Sequence, residues 1–260
     1  MASHPTLQPP ILHHPTLNAP RVHVVDLPAH LTPADLAGHA VAVFDVLRAT
    51  TTITQAIAAG CTAIHLFDSP AAARAAAAAN TTAKAAPSLL AGEIHCLPAP
   101  GFDLGNSPSH FTPAKVAGQT IHFATTNGTR ALLAASTAPV VIAACLNNAQ
   151  AAAEYLHNTG LPVTLLAAGT NGQPADEDLA GCGAVAHYLQ QRGYTPTPSA
   201  LAAIALFHHH QHDLISLLRS TPGGQNILQA NLPNDITFAA QLNTTTAIAR
   251  LSPPNILDRA

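Results

Sequence analysis

Short apolar, partly β-branched runs recur along the chain at "RVHVV" (21–25), "VAVFDV" (41–46), "AIHLF" (63–67), "IHFA" (121–124), "VVIAAC" (140–145) and "VTLLAAG" (163–169). Most are followed by a polar turn and then by an Ala- and Leu-rich stretch with helical spacing, as at 69–79, 129–136, 147–157 and 178–191. The runs predict strands and the stretches between them predict helices. Strands alternating with helices of this length need right-handed crossovers. The expected fold class is therefore α/β, a largely parallel sheet with helices on both faces.

Beyond Gly193 the rhythm stops. "PSALAAIALFHHHQHDLISLLRS" (198–220) predicts one long helix opened by Pro198 and Ser199, with shorter helical pieces around 225–230 and 234–242. Residues 193–260 are thus expected to form a mostly helical C-terminal appendage of a single α/β domain spanning 21–260. The first 20 residues are rich in Pro and His and read as a flexible leader, without the charged and apolar regions of a signal peptide. "AAARAAAAA" is low in complexity, and helix propensity alone accounts for it.

The chain has 260 residues, 48% of them hydrophobic, which is ample for a core and excludes general disorder. Only 9% are charged, against about 25% in an average domain, so each charge in a special place carries more information. A net charge of -3, no Trp and three Tyr argue against nucleic acid as a partner. No run of about 18 apolar residues predicts a membrane span. Cys61, Cys96, Cys145 and Cys182 lack CxxC spacing and read as reduced thiols of a cytoplasmic protein. So apolar a chain is expected to bury some surface in a homodimer.

In an open parallel sheet the ligand site lies beyond the carboxyl ends of the strands. After "VAVF" comes "DVLRATTTI", bringing Asp45, Arg48, Thr50, Thr51 and Thr52. Glu93 follows the apolar pair Leu89–Leu90, and "GFDLGNSP" (101–108) holds Asp103, Asn106 and Ser107. "TTNGTR" after "IHFA" brings Thr126, Asn127, Gly128 and Arg130, and "TNGQPADEDLAG" brings Asn171, Asp176, Glu177 and Asp178. Six of the thirteen carboxylates sit in these loops. In a charge-poor chain such a concentration points to a site rather than to solvation.

Thr125 to Thr129 at a helix start, followed by Arg130, make an anion cradle of hydroxyls, N–H groups and one fixed cation. The same residues also suit plain helix capping, with Gly128 as turn punctuation. A helix N-terminus contributes roughly 0.3–1 kcal/mol to an anion, enough to bind a phosphate but not to cleave one. Carboxylates beside the cradle supply what is missing, because hard oxygen ligands from several loops suit Mg2+ better than zinc.

Other constellations fail. There is no GxxxxGK[ST], no GxGxxG after a strand and no GxSxG elbow. "DVLRAT" departs from the DxDxT loop of haloacid-dehalogenase-type phosphatases, since Leu47 stands at the second Asp. "HHHQH" (His208 to His212) lies mid-helix in the appendage, without a carboxylate cluster nearby in sequence.

The strings "DVLRATTTI", "GFDLGNSP", "TTNGTRAL", "EDLAGCGA" and, more weakly, "STPGGQNI…NDITFAAQL" resemble the 2-phosphosulfolactate phosphatases, the ComB family of coenzyme M biosynthesis. The resemblance runs from about residue 41 to 242. It implies an Mg2+-dependent phosphatase that hydrolyses (2R)-2-phospho-3-sulfolactate to (2R)-3-sulfolactate and phosphate. On this chain it implies Asp45, Arg48, Glu93 and Arg130 as catalytic positions. Thr50, Thr51, Asn106, Ser107, Thr126, Asn127 and Gly128 would bind substrate, and Asp45, Glu93 and Asp178 are the metal candidates. Two expected arginines are replaced, at Ile94 and Gln225. Arginine is the natural reader of sulfonate and carboxylate, so a phosphatase of another small phosphorylated acid is the alternative. A non-catalytic phosphate- or sulfonate-binding module is the other, disfavoured because the acids are kept.

Overall fold

A computed structural model describes residues 19–79, 88–252 and 254–260, so residues 1–18 of the expected leader lie outside the described residues. The strands are β1 (Arg21–Val25), β2 (Ala40–Phe44), β3 (Ala63–Phe67), β4 (Ser88–Ile94), β5 (Leu97–Pro98), β6 (Thr120–Ala124), β7 (Val140–Ala144), β8 (Val163–Ala167), β9 (Thr195–Pro196), β10 (Ala249–Ser252) and β11 (Ile256–Arg259). The helices are the single turns α1 (Pro33–Leu36) and α4 (Pro113–Val116), then α2 (Ala49–Ala58), α3 (Pro70–Ala79), α5 (Gly128–Ala134), α6 (Ala149–Asn158), α7 (Asp176–Gln191), α8 (Pro198–His210), α9 (Leu214–Ser220), α10 (Pro222–Gln229) and α11 (Pro233–Ala239).

All strands join one sheet in the order β5-β4-β6-β3-β11-β10-β7-β2-β8-β1-β9. Two parallel groups, β4-β6-β3 and β7-β2-β8-β1-β9, realise the α/β expectation. Strands β2 and β8 are buried at every position, as their unbroken apolar runs require of strands covered on both faces. On one face Ile53 and Ile57 of α2 and Leu132 of α5 pack against Val41, Val43, Ile64 and Phe123. The other face carries α6 to α11, with Leu156, Val185, Leu189 and Phe207 packed against Val22, Ala42, Phe44 and Leu165.

The C-terminal helices are present, with two differences from the sequence expectation. The long helix over 198–220 is broken at Asp213, whose Oδ1 accepts the Ser216 N–H at 3.1 Å and starts a new helix. The chain then leaves the helical mode and forms the antiparallel hairpin β10–β11, which pairs with β7 on one side and β3 on the other. This hairpin bridges the two parallel groups. Asn147 and Asn148, just after β7, tie down the approach to it by donating to the carbonyls of Phe238, Gln241 and Ala247.

His208 of the "HHHQH" run meets His187 of α7, with Nε2 of the first 3.0 Å from Nδ1 of the second. All four cysteines are free thiols. Among the described residues no helix is long and apolar enough to cross a membrane.

Helices α7 and α8 approach so closely that a Cβ built on Gly183 would lie 2.0 Å from the Ala203 carbonyl oxygen. Gly183→Ala must therefore push the two backbones apart. The expected cost is about 2 kcal/mol, a fall in Tm of roughly 4–8 °C, with fold and cleft retained. Thermal unfolding of the variant checks it.

Candidate active site

Strand register sets up the site. Phe44 lies opposite Ala144 and Ala167, and Gly92 lies opposite Ala124, itself opposite Phe67. The residues that follow, Asp45 from one parallel group and Asp68, Glu93 and Thr125 from the other, share one edge of the sheet. There they border a cleft of about 830 Å³ together with Arg48, Asn106, Thr126, Asn127 and Arg130. Thr170, Asn171 and residues of α10 (Gly223, Asn226, Gln229) close its far side.

The turn after β2 is built by its own side chains. Asp45 Oδ1 accepts the Ala49 N–H at 3.0 Å. Thr50 Oγ1 donates to the Asp45 carbonyl and accepts the Asp45 N–H, both at 3.0 Å, while Thr51 Oγ1 donates to the Val46 carbonyl at 2.8 Å. Gly128 then presses on this turn. A Cβ there would lie 2.5 Å from the Ala49 Cβ and 2.7 Å from Asp45 Oδ2. Only a bare backbone fits, and its N–H joins that of Ala49 on the Asp45 carboxylate.

Across the cleft, Glu93 Oε1 accepts from the Thr126 N–H (2.9 Å) and hydroxyl (2.7 Å), and Oε2 accepts the Cys96 N–H at 3.0 Å. Arg48 is buried. Its Nη1 donates to Asp235 Oδ2 at 2.6 Å, and its Nη2 donates to the Cys96 carbonyl at 2.6 Å. Arg130 is exposed at the cleft wall.

Burial is the main influence on the acids. It pushes Asp45 up to about 6, reinforced by the Glu93 charge and opposed by the Ala49 and Gly128 N–H groups and by Arg48. Burial also pushes Glu177 to about 7, aided by the charges of Asp45 and Asp176. Asp178 is held well above the usual carboxylate range by burial, Asp45 and Glu177. Three buried acids therefore disfavour their charged forms while the buried guanidinium is engaged by Asp235. A bound cation would relieve that imbalance.

The predicted residues divide by position. Asp45, Arg48, Glu93, Asn106, Thr126, Asn127 and Arg130 border the cleft, and the Asn106 Oδ1 is buried there without a partner. Thr50 and Thr51 spend their hydroxyls on the turn, and Ser107 turns towards Arg48 and Asp235. Asp178 stands behind the cleft, with Oδ1 on the Val46 N–H (2.7 Å) and Oδ2 on the Gly169 N–H (2.9 Å), so it clamps the ends of β2 and β8. Asp103 accepts the Leu90 N–H at 2.8 Å and Asp176 is exposed. The sequence reading passed over Asp235, although the "NDITF" string holding it was in view.

Among the described residues no three His, Cys, Asp or Glu side chains gather as a metal cluster. Of the three carboxylates that border the cleft, Asp45, Asp68 and Glu93, the first and last are the metal candidates read from sequence. Such a donor set fits a hard cation that keeps several waters and takes one or two carboxylates plus phosphate oxygens, as Mg2+ does.

Glu177 gives a pH test. Its folded-state affinity for a proton is raised, so folding binds a proton between the unfolded value of 4.5 and about 7. Stability should therefore fall as pH rises through that window and level off above it. In chelator-treated protein, Glu177→Gln should leave stability near pH 4.5 unchanged. At pH 8 it should raise stability by about 1–3 kcal/mol, read by urea unfolding.

The family model described as 2-phosphosulpholactate phosphatase matches residues 26–253. A probable 2-phosphosulfolactate phosphatase of Synechococcus sp. (strain JA-3-3Ab) is 40% identical over 237 residues, covering 88% of this chain and 95% of the relative. Those of Gloeobacter violaceus (38% identical, 87% and 94% covered) and Symbiobacterium thermophilum (37% identical, 84% and 94% covered) are similar over nearly the same extent. With the match spanning both parallel groups, the cleft and the C-terminal helices, the chain belongs to the 2-phosphosulfolactate phosphatase family of phosphoric monoester hydrolases.

Proposed function

We propose that the cleft hydrolyses (2R)-2-phospho-3-sulfolactate to (2R)-3-sulfolactate and phosphate, the step known from coenzyme M biosynthesis, with Mg2+ held by Asp45 and Glu93. The observation that carries this reading is the meeting of three carboxylates (Asp45, Asp68 and Glu93) and two arginines around one cleft in a chain with 9% charged residues. Bound between Asp45 and Glu93, the cation would supply charge neutralisation at the phosphoryl oxygens.

The protein groups do the rest. Arg48 and Arg130 offer N–H donors to the phosphoryl oxygens as charge shifts onto the leaving oxygen. The Thr126–Gly128 turn holds Glu93 through the Thr126 N–H and hydroxyl and holds Asp45 through the Gly128 N–H. Hydrolysis joins a water oxygen to phosphorus, breaks the bond from phosphorus to the C2 oxygen, and returns a proton to that oxygen. Asp45 is placed either to orient the attacking water or to attack phosphorus itself. In the second case water then cleaves the aspartyl phosphate.

A second reading rests on the wall made by β4 and β5. Ile94 and Leu97 pair across the two strands, are 42% and 52% exposed, and both border the cleft. An apolar wall suits a phosphorylated acid that carries less charge than phosphosulfolactate. Gln225 bears less on this point, because its amide donates to the Arg219 carbonyl at 2.7 Å away from the cleft.

Phosphate release from 2-phosphosulfolactate, phospholactate and phosphoglycolate, each with Mg2+ and with excess EDTA, is the test. The expected result is Mg2+-dependent turnover fastest on phosphosulfolactate, with Asp45→Asn reducing it about a hundredfold or more. Preference for phospholactate would establish the second reading. An Asp45→Asn variant retaining a tenth of the activity would remove Asp45 from the centre of the chemistry.

A further inference from the structure

Arg48 is gripped along one edge. Nη1 donates to Asp235 Oδ2 at 2.6 Å and to Ser107 Oγ at 3.3 Å, and Nη2 donates to the Cys96 carbonyl at 2.6 Å. Ser107 Oγ donates in turn to the same Asp235 oxygen at 2.8 Å, closing a triangle. The ion pair is out of solvent, with side chains 2% and 3% exposed. A guanidinium has five N–H donors. These bonds take Nη1 and one N–H of Nη2, which leaves the Nε–H and the second N–H of Nη2 to a ligand.

Arg48 borders the cleft, whereas Asp235 and Ser107 do not. The residues that hold the guanidinium thus stand behind it, and the residue that meets a ligand stands in front. Phosphate oxygens accept two parallel N–H bonds from a planar guanidinium, and this geometry rewards a fork whose orientation is settled before the ligand arrives. The long Arg side chain would otherwise have to be ordered by the ligand itself.

Building on the phosphatase reading, we infer that Asp235, braced by Ser107, is a positioning residue: it fixes the Arg48 guanidinium so that its free N–H groups meet the phosphoryl oxygens of the substrate. The C-terminal helix α11 thereby contributes to substrate binding without touching substrate.

Charge and positioning predict opposite signs for one substitution. Asp235→Asn keeps shape and removes a negative charge from behind the cleft. Acting through charge alone, it would tighten the binding of inorganic phosphate. Acting through lost positioning, it weakens phosphate binding about tenfold in calorimetry on the folded variant and lowers kcat/KM about a hundredfold. In an Arg48→Lys background the same substitution should add nothing further, because the fork it orients is gone. Ser107→Ala spares the ion pair and should weaken phosphate binding about threefold, which keeps a readout should Asp235→Asn fail to fold.

Unchanged or tighter phosphate binding in either folded variant overturns the inference. So do losses that multiply with Arg48→Lys. Affinity is read without turnover, so a protein that binds phosphate and hydrolyses none of the three esters refutes the activity alone, and the sign of the affinity change still decides the role of Asp235.

Discussion

The site depends on the approach of a bare backbone to a carboxylate, Gly128 to Asp45. These residues follow strands that are not neighbours in the sheet, β6 in one parallel group and β2 in the other, with the hairpin and β7 and β3 between them. Contact across that span requires the start of α5 to reach the start of α2, and both must be small there. Gly128 and Ala49 meet that requirement, since any Cβ at position 128 would collide with both the Ala49 methyl and the Asp45 carboxylate. Closeness helps bury Asp45, and burial is the chief reason its affinity for a proton is raised. One steric fact thus joins the two halves of the sheet and sets the electrostatics of the acid between them.

That electrostatic setting gives the cleft its character. Burial raises the proton affinity of Asp45, Glu177 and Asp178, the Asp45 charge raises that of Glu177 and Asp178 further, and the buried guanidinium of Arg48 is balanced by a fourth acid, Asp235. A buried ion pair of this kind is poor evidence for stability, because desolvation offsets much of its attraction. Its retention beside a cleft makes better sense as orientation. On the proposed reading, a cation and phosphate bound beside these acids would relieve part of the cost of their burial, so that binding and preorganisation would come from one arrangement.

Much of this was legible in the sequence. Apolar runs followed by loops loaded with the few available charges located the strand ends, and strand ends bring their next residues together in a parallel sheet. Other features were legible only as residue types. Gly128 looked like turn punctuation, yet its φ is not among the positive ones, and its role is to admit a neighbour. Thr50, Thr51 and Asp178 read as ligand groups in the sequence, and in the structure their side chains bond backbone N–H and carbonyl groups. A side chain that can satisfy either a ligand or its own turn gives the same letter in both cases. The β10–β11 hairpin escaped notice because strands of four residues, "ARLS" and "ILDR", carry too little alternation to register, and their place was determined by the gap they fill. Asp235 escaped because its partner lies 187 residues away.

The last 70 residues then have a double part in the molecule. Helix α11 stands behind Arg48, α10 closes the far side of the cleft, and the hairpin joins the parallel groups whose ends form the site. A segment read from sequence as an appendage is therefore structurally upstream of the site it adjoins. The two neutral replacements follow the same logic. Gln225, where the resemblance leads to an expectation of arginine, lies on α10 away from the cleft, with its amide on the carbonyl of Arg219 in the preceding helix, so it takes no donor from the cleft. Ile94 lies at the cleft wall beside Leu97, where an apolar side chain offers an anion no donor. Under the proposed reading, with Arg48 and Arg130 on the phosphoryl group, anion recognition elsewhere in the cleft would come from neutral amides such as those of Asn226 and Gln229, which bind a sulfonate less strongly than a guanidinium does. The chemistry of this cleft is thus more firmly specified by its residues than the identity of the acid it accepts.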